Sequence, residues 1–187
     1  MKIDAIWLPE TQQRVFRGLM DVMSHPGKTS DISTLTDHAL PALAILATLL
    51  DGETTLCDHH QLLDDANWPL LQAAKSNAEQ ANFILCLGEK PVDFVPRLGE
   101  LASPEHSATI VVFIESVTTG NINLSISGPG VNGKTIIQMT GLNQDWLEQR
   151  EQWISSFPLG VDLLIVDRSH VMAIPRTSKI EVTSWDM

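Results

Sequence analysis

The chain has 187 residues, 43% of them hydrophobic and 19% charged, a balance that supports a buried core and excludes a disordered polymer. Twelve basic residues stand against 23 acidic ones, for a net charge of −11. Such a chain is a poor general binder of nucleic acid and is repelled by an anionic membrane surface.

No apolar run reaches the roughly 18 residues of a membrane-spanning helix. The start, MKIDAIWLPE, has acids and a proline where a secretory leader needs an apolar stretch. The expectation is a single cytoplasmic domain over 1–187, with Cys57 and Cys86 as reduced thiols.

In chain order, the first periodic segment is 10–24. Val15, Phe16, Leu19, Met20 and Met23 recur at spacings of three and four, which predicts a helix with these on one face. Ser24-His25-Pro26-Gly27 ends it, because proline lacks a donor and glycine suits the reversal. A second helix is predicted over 38–51, with Asp37 as N-cap and Gly52 as stop. Its sequence ALPALAILATLL is apolar nearly all round, so it should be buried on several sides. A strand at 54–58 and a helix over 61–75 follow. Residues 29–74 hold seven acids and no lysine or arginine, which reads as a solvated acidic face.

NFILCLG (82–88) and TIVVFIES (109–116) read as buried strands. INLSISG (122–128) alternates and should pair with KTIIQMT (134–140) as a hairpin. Residues 144–156 form a helix. VDLLIVD (161–167) is another buried strand, and VMAIP (171–175) and KIEVT (179–183) are two short ones. Helices interspersed with strands and late hairpins imply an α/β class, with a mixed sheet and helices packed on it.

Residues 128–135, GPGVNGKT, satisfy the P-loop pattern in full through Gly128, Gly133, Lys134 and Thr135. The pattern holds phosphate on a nest of amides, with a lysine on the terminal phosphates and a hydroxyl on magnesium. Asp167, after an apolar strand, could hold that metal. A P-loop must, however, open a helix. Here Lys134 runs into a short β-branched segment ending at Gly141, so a hairpin loop is expected. The alternative is an autonomous nucleotide-binding phosphotransferase.

Cys57-Asp58-His59-His60 lacks a second cluster at zinc-like spacing, so no metal site is expected. No GxSxG elbow supports serine catalysis. No mid-chain lysine (Lys75, Lys90, Lys134) has the apolar context a Schiff base needs. With so few cations, an anion site would have to draw on Arg17, His25 and Lys28 around the end of the first helix and on Arg176 and Thr177. Gly27, Gly128 and Gly130 would supply backbone donors. These are the candidate residues for a ligand or partner.

Four segments together resemble the PhnH family: FRGLMDVMSHPG (16–27), SGPGV (127–131), FPLGVDLLIV (157–166) and AIPRTSKIEV (173–182). AILATLLDGETTLCD (44–58) resembles the helix-to-strand stretch of the same family. The resemblance spans the chain, with little from 59–107. It implies a three-layer α/β/α sandwich, a reduced pyridoxal-phosphate-dependent transferase fold without the cofactor. It further implies a homodimer, and a subunit of the carbon–phosphorus lyase core complex with PhnG, PhnI and PhnJ-like partners. That complex displaces adenine from ATP with an alkylphosphonate, giving α-D-ribose 1-methylphosphonate 5-triphosphate. A phosphonate or a nucleotide is then the ligand to expect. The family pattern contains SGPGV but not the GK[ST] that follows here, so Lys134 is expected to be incidental.

Overall fold

The computed structural model describes residues 4–36 and 39–185; Asp37, the expected N-cap, lies outside them. A short 3₁₀ turn (Ala5–Trp7) leads into α1 (Pro9–Ser24), with proline in its first turn, where the missing donor costs nothing. After β1 (Thr29–Asp31) and the single turn α2 (Ser33–Thr36) comes α3 (Pro41–Leu49). Six consecutive residues of α3, Pro41 to Leu46, are buried.

The central sheet has seven strands in the order β1-β11-β10-β7-β4-β2-β3. They are β2 (Thr55–Asp58), β3 (Ala74–Lys75), β4 (Phe83–Leu87), β7 (Thr109–Phe113), β10 (Asp162–Val166) and β11 (His170–Ile174), beside β1. From β10 through β3 the neighbours are parallel, while β11 is antiparallel to both β10 and β1. The sheet is therefore mixed, as the sequence pattern implies.

Side chains on these strands alternate between two cores, the period of two that a pleated strand imposes. Leu85, Val111, Leu164, Val166 and Ala173 face α1 and α3. Ile84, Cys86, Ile110, Val112, Leu163 and Ile165 face the other side. There the cover is α5 (Asp145–Trp153) and a three-stranded antiparallel sheet, β12-β8-β9, made of β8 (Ile122–Ser127), β9 (Lys134–Met139) and β12 (Lys179–Trp185). A two-stranded hairpin, β5 (Leu98–Glu100) with β6 (Ser103–Ser107), belongs to neither sheet and packs Leu98 against this core.

Two expectations need correction. In α1 the buried residues are Val15, Leu19 and Val22, while Phe16 and Met20 are about half exposed, at 47% and 53%. The helix is rotated by one position relative to the apolar stripe. The expected helix over 61–75 is one turn, α4 (Trp68–Leu71), followed by β3. The Asp58 carboxylate accepts the Leu62 and Leu63 N–H groups (2.9 and 2.8 Å), holding that stretch as a loop. Gln72 takes a left-handed conformation (φ +60°) that stops the turn.

The hairpin expectation holds. Lys134 starts β9, which pairs antiparallel with β8 from Ser127↔Lys134 to Ile122↔Met139. GPGVNG is the connection of a hairpin, and Lys134 and Thr135 open a strand in place of a helix. The Asp167 carboxylate instead accepts the backbone N–H groups of Val117, Ser169 and His170 (2.7–2.9 Å).

Candidate functional site

Backbone contacts bring three distant segments together. The end of α1, the loop after β8 and the turn before β12 meet where glycines remove side chains. A Cβ on Gly130 would lie 2.1 Å from the Ser24 carbonyl oxygen and 3.0 Å from the Pro26 ring. A Cβ on Gly128 would come within 3.0 Å of the Thr177 carbonyl. Gly27 stands against the Thr135 side chain, its virtual Cβ 3.1 Å from Cγ2. All three glycines have positive φ (+82°, +133° and +89°). Glycine in SHPG and SGPG is thus required both by φ and by the close approach of backbones.

Two arginines hold the 175–178 turn. Arg176 grips Asp162 at the start of β10: Nη2 lies 2.5 Å from Oδ2, and Nε 3.3 and 3.2 Å from the two carboxylate oxygens. Its backbone N–H also donates to Asp162 (2.8 Å), and Nη1 donates to the Pro104 carbonyl (3.0 Å). This is the fork geometry in which a guanidinium is strongest. Arg150, on α5, is fully buried. Its Nη2 donates to the Pro175 and Ser178 carbonyls (2.7 and 2.9 Å) and its Nη1 to Glu151 (3.0 Å). Burial pulls the Arg150 guanidinium below its ordinary pKa, opposed by the carboxylates of Glu151 and Asp162. Arg150 was missing from the sequence reading. The signal was there, because Trp146, Leu147, Arg150 and Trp153 follow one helical stripe.

Beside this turn lies an open cleft of about 720 Å³. Pro129, Ile154, Phe157 and Ile180 give it apolar surface, and Glu151, Arg176, Thr177 and Lys179 give it polar rims. Phe157 is 66% exposed. The cleft thus collects residues from the SGPGV, FPLGVD and AIPRTSKIEV segments.

Arg17, His25 and Lys28 do not line this cleft. Arg17 is exposed on α1, seven residues before its end. His25 and Lys28 both pair with Asp21 (3.1 and 2.6 Å), and the Lys28 hydrogen bond holds the Asp21 carboxyl below its ordinary range. Lys134 pairs with Glu181 on β12 (2.5 Å). Lys75, Lys90 and Lys134 are all exposed. His59 Nε2 lies 2.6 Å from Asp93, and His60 Nδ1 accepts the Leu87 N–H (3.2 Å). Cys57 and Cys86 are buried free thiols, pushed up in pKa by burial. Among the described residues, no group of three or more histidine, cysteine or acidic side chains is placed to hold a metal ion. No helix among them is long and apolar enough to cross a membrane.

Comparison with known proteins matches the model of PhnH, bacterial phosphonate metabolism protein, to residues 6–181. The chain is 34% identical over 177 residues to a protein of Stutzerimonas stutzeri provisionally named C-P lyase subunit protein HtxG, covering 95% of this chain and 89% of that one. It is 29% identical to the alpha-D-ribose 1-methylphosphonate 5-triphosphate synthase subunit PhnH of Rhizobium meliloti (strain 1021), covering 90% of each. With the family model matched from the first helix to the last strand, the chain belongs to the PhnH family of bacterial phosphonate metabolism proteins.

Proposed function

We propose that this chain is a subunit of a carbon–phosphorus lyase core complex in phosphonate catabolism. Within that complex it supports displacement of adenine from ATP by an alkylphosphonate, giving α-D-ribose 1-methylphosphonate 5-triphosphate. The observation that carries this reading is the match over nearly the full length to proteins named as subunits of these systems. The chain's part is binding and assembly, with PhnG, PhnI and PhnJ-like subunits as partners and no cofactor of its own.

The cleft beside Arg176 is the docking place for a partner subunit. An exposed aromatic on an apolar floor with charged rims has the composition of an interface anchor. Arg176, Thr177, Gly128 and Gly130 shape it, while His25, Gly27 and Lys28 follow the adjoining end of α1 and Arg17 lies two turns back along that helix. Arg176, His25 and Lys28 are already paired with Asp162 and Asp21, which favours a polypeptide over a free anion as occupant. Phe16 and Met20, exposed together on α1, support self-pairing of the isolated chain. The mixed sheet, layered on both faces, supports a fold related to the pyridoxal-phosphate-dependent transferases.

Co-expression of the tagged chain with the other three subunits tests the reading, and the expected result is one co-purifying complex. Phe157→Ser should lower recovery of the partners while leaving the circular dichroism spectrum and melting midpoint unchanged. Failure of the unmodified chain to co-purify would sink the subunit reading. Full recovery with Phe157→Ser would sink the docking site alone. Sedimentation of the isolated chain should show a dimer at micromolar concentration; a monomer would overturn self-pairing.

A further inference from the structure

The parallel strands β4, β7 and β10 are in register, with Leu87 opposite Phe113 and Phe113 opposite Val166. The ladder runs one residue further, since Gly88 N–H donates to the Phe113 carbonyl and Ile114 N–H to the Val166 carbonyl, both at 2.8 Å. Immediately beyond come Glu89, Glu115 and Arg168, one at the carboxyl end of each strand. All three lie at one end of the central sheet, just past the carboxyl ends of three neighbouring strands.

All three are exposed, and with Phe113 and Ile114 they line a crevice of about 310 Å³. This volume suits a small molecule. The cleft beside Arg176 does not share any of these residues. Among the described residues, neither carboxylate has a basic partner and Arg168 has no acidic one. Two neighbouring carboxylates repel each other and attract a cation. The guanidinium on the next strand offers a free fork for an oxyanion.

We propose that this crevice binds a small zwitterion, its ammonium between Glu89 and Glu115 and its oxyanion on Arg168. The class that fits is an aminoalkylphosphonate, which carries one charge of each sign on a short chain. Charges of both signs on one crevice call for a zwitterion by themselves. The choice of a phosphonate as the oxyanion rests on the reading of the chain as a phosphonate-metabolism subunit.

Titration calorimetry of the full chain with 2-aminoethylphosphonate, ethylphosphonate and β-alanine tests the proposal. The first should bind, and ethylphosphonate, which lacks the ammonium, should bind at least tenfold more weakly. Glu115→Gln and Arg168→Gln should each weaken 2-aminoethylphosphonate at least tenfold, with unchanged circular dichroism. No heat with either zwitterion at millimolar concentration overturns the site, as does equal affinity for ethylphosphonate or in both variants. β-Alanine binding as tightly as 2-aminoethylphosphonate overturns the phosphonate assignment. Both variants should co-purify with the partner subunits, so a failure of this site stays distinct from a failure of the subunit reading.

Discussion

Gly130 and Gly133 share one hairpin loop and similar positive φ, +82° and +75°, but differ in what surrounds them. Nothing lies within 4 Å of a Cβ on Gly133, whereas one on Gly130 meets the Ser24 carbonyl. Gly133→Ala should therefore cost about 1 kcal/mol for its backbone conformation alone. Gly130→Ala adds a clash that must push α1 and the loop apart, and its loss should exceed that of Gly133→Ala by ~1 kcal/mol or more. Urea midpoints of the two variants check the difference; equal midpoints would show that the junction yields freely. At Arg150, alanine would remove a buried guanidinium and leave the Pro175 and Ser178 carbonyls without their donor. A loss of about 1–3 kcal/mol for each carbonyl left without its donor is expected from the same measurement. His60 carries a pH dependence. Burial, and then the neighbouring His59, hold its pKa below the ordinary 6.5. Protonation at Nδ1 would also break the bond from Leu87 N–H. The unfolded chain thus takes up the proton first as pH falls. The stabilisation is present above about pH 6.5 and is lost as pH drops through the folded value. His60→Gln should flatten the fall in stability between pH 7 and pH 5.5, and an unchanged slope would refute the assignment.

At the level of elements, the phosphate-binding look of GPGVNGKT has a direct test. Lys134 and Glu181 form an ion pair with both side chains more than half exposed, and such pairs contribute little. Lys134→Ala should leave the urea midpoint and co-purification with partners unchanged; loss of partner recovery would reopen a role for the lysine. Why the sequence revealed some elements and hid others follows from the same local physics. The strands at 83–87, 109–113 and 162–166 are short apolar runs buried on both faces, and that signature survives any context. The hairpin of β8 and β9 was legible because its alternation matches a one-sided sheet. The 61–75 helix was not, because the Asp58 carboxylate captures two N–H groups from outside the window that a periodicity count uses. The face of α1 was misplaced because Phe16 and Met20 extend the apolar stripe beyond what the core covers. At the candidate site, the glycines and Arg176 were visible as sequence features, while Arg150 was hidden by the ordinary habit of arginine to sit outside.

For the molecule as a whole, the Arg176–Asp162 pair ties the start of β10 to the turn before β12, and through the Pro104 carbonyl to the β5–β6 hairpin. Both side chains are only 15% exposed. A double-mutant cycle over Arg176→Ala and Asp162→Ala should give a coupling of about 1–3 kcal/mol. Strictly additive losses would mean that the fork does not lock the layers. The sheet order carries a further consequence. The one strand neighbour of β1 is β11, with Thr29 opposite Met172, and the middle strand β8 gains one of its two partners from residues 179–185. A chain emerging from the ribosome therefore waits for some 140 further residues before the border strand behind its first helix can pair. Closing loops of that length makes folding slow. Until residues 170–185 are released, one flank of the central sheet and one side of β8 stay open to strands of other nascent chains.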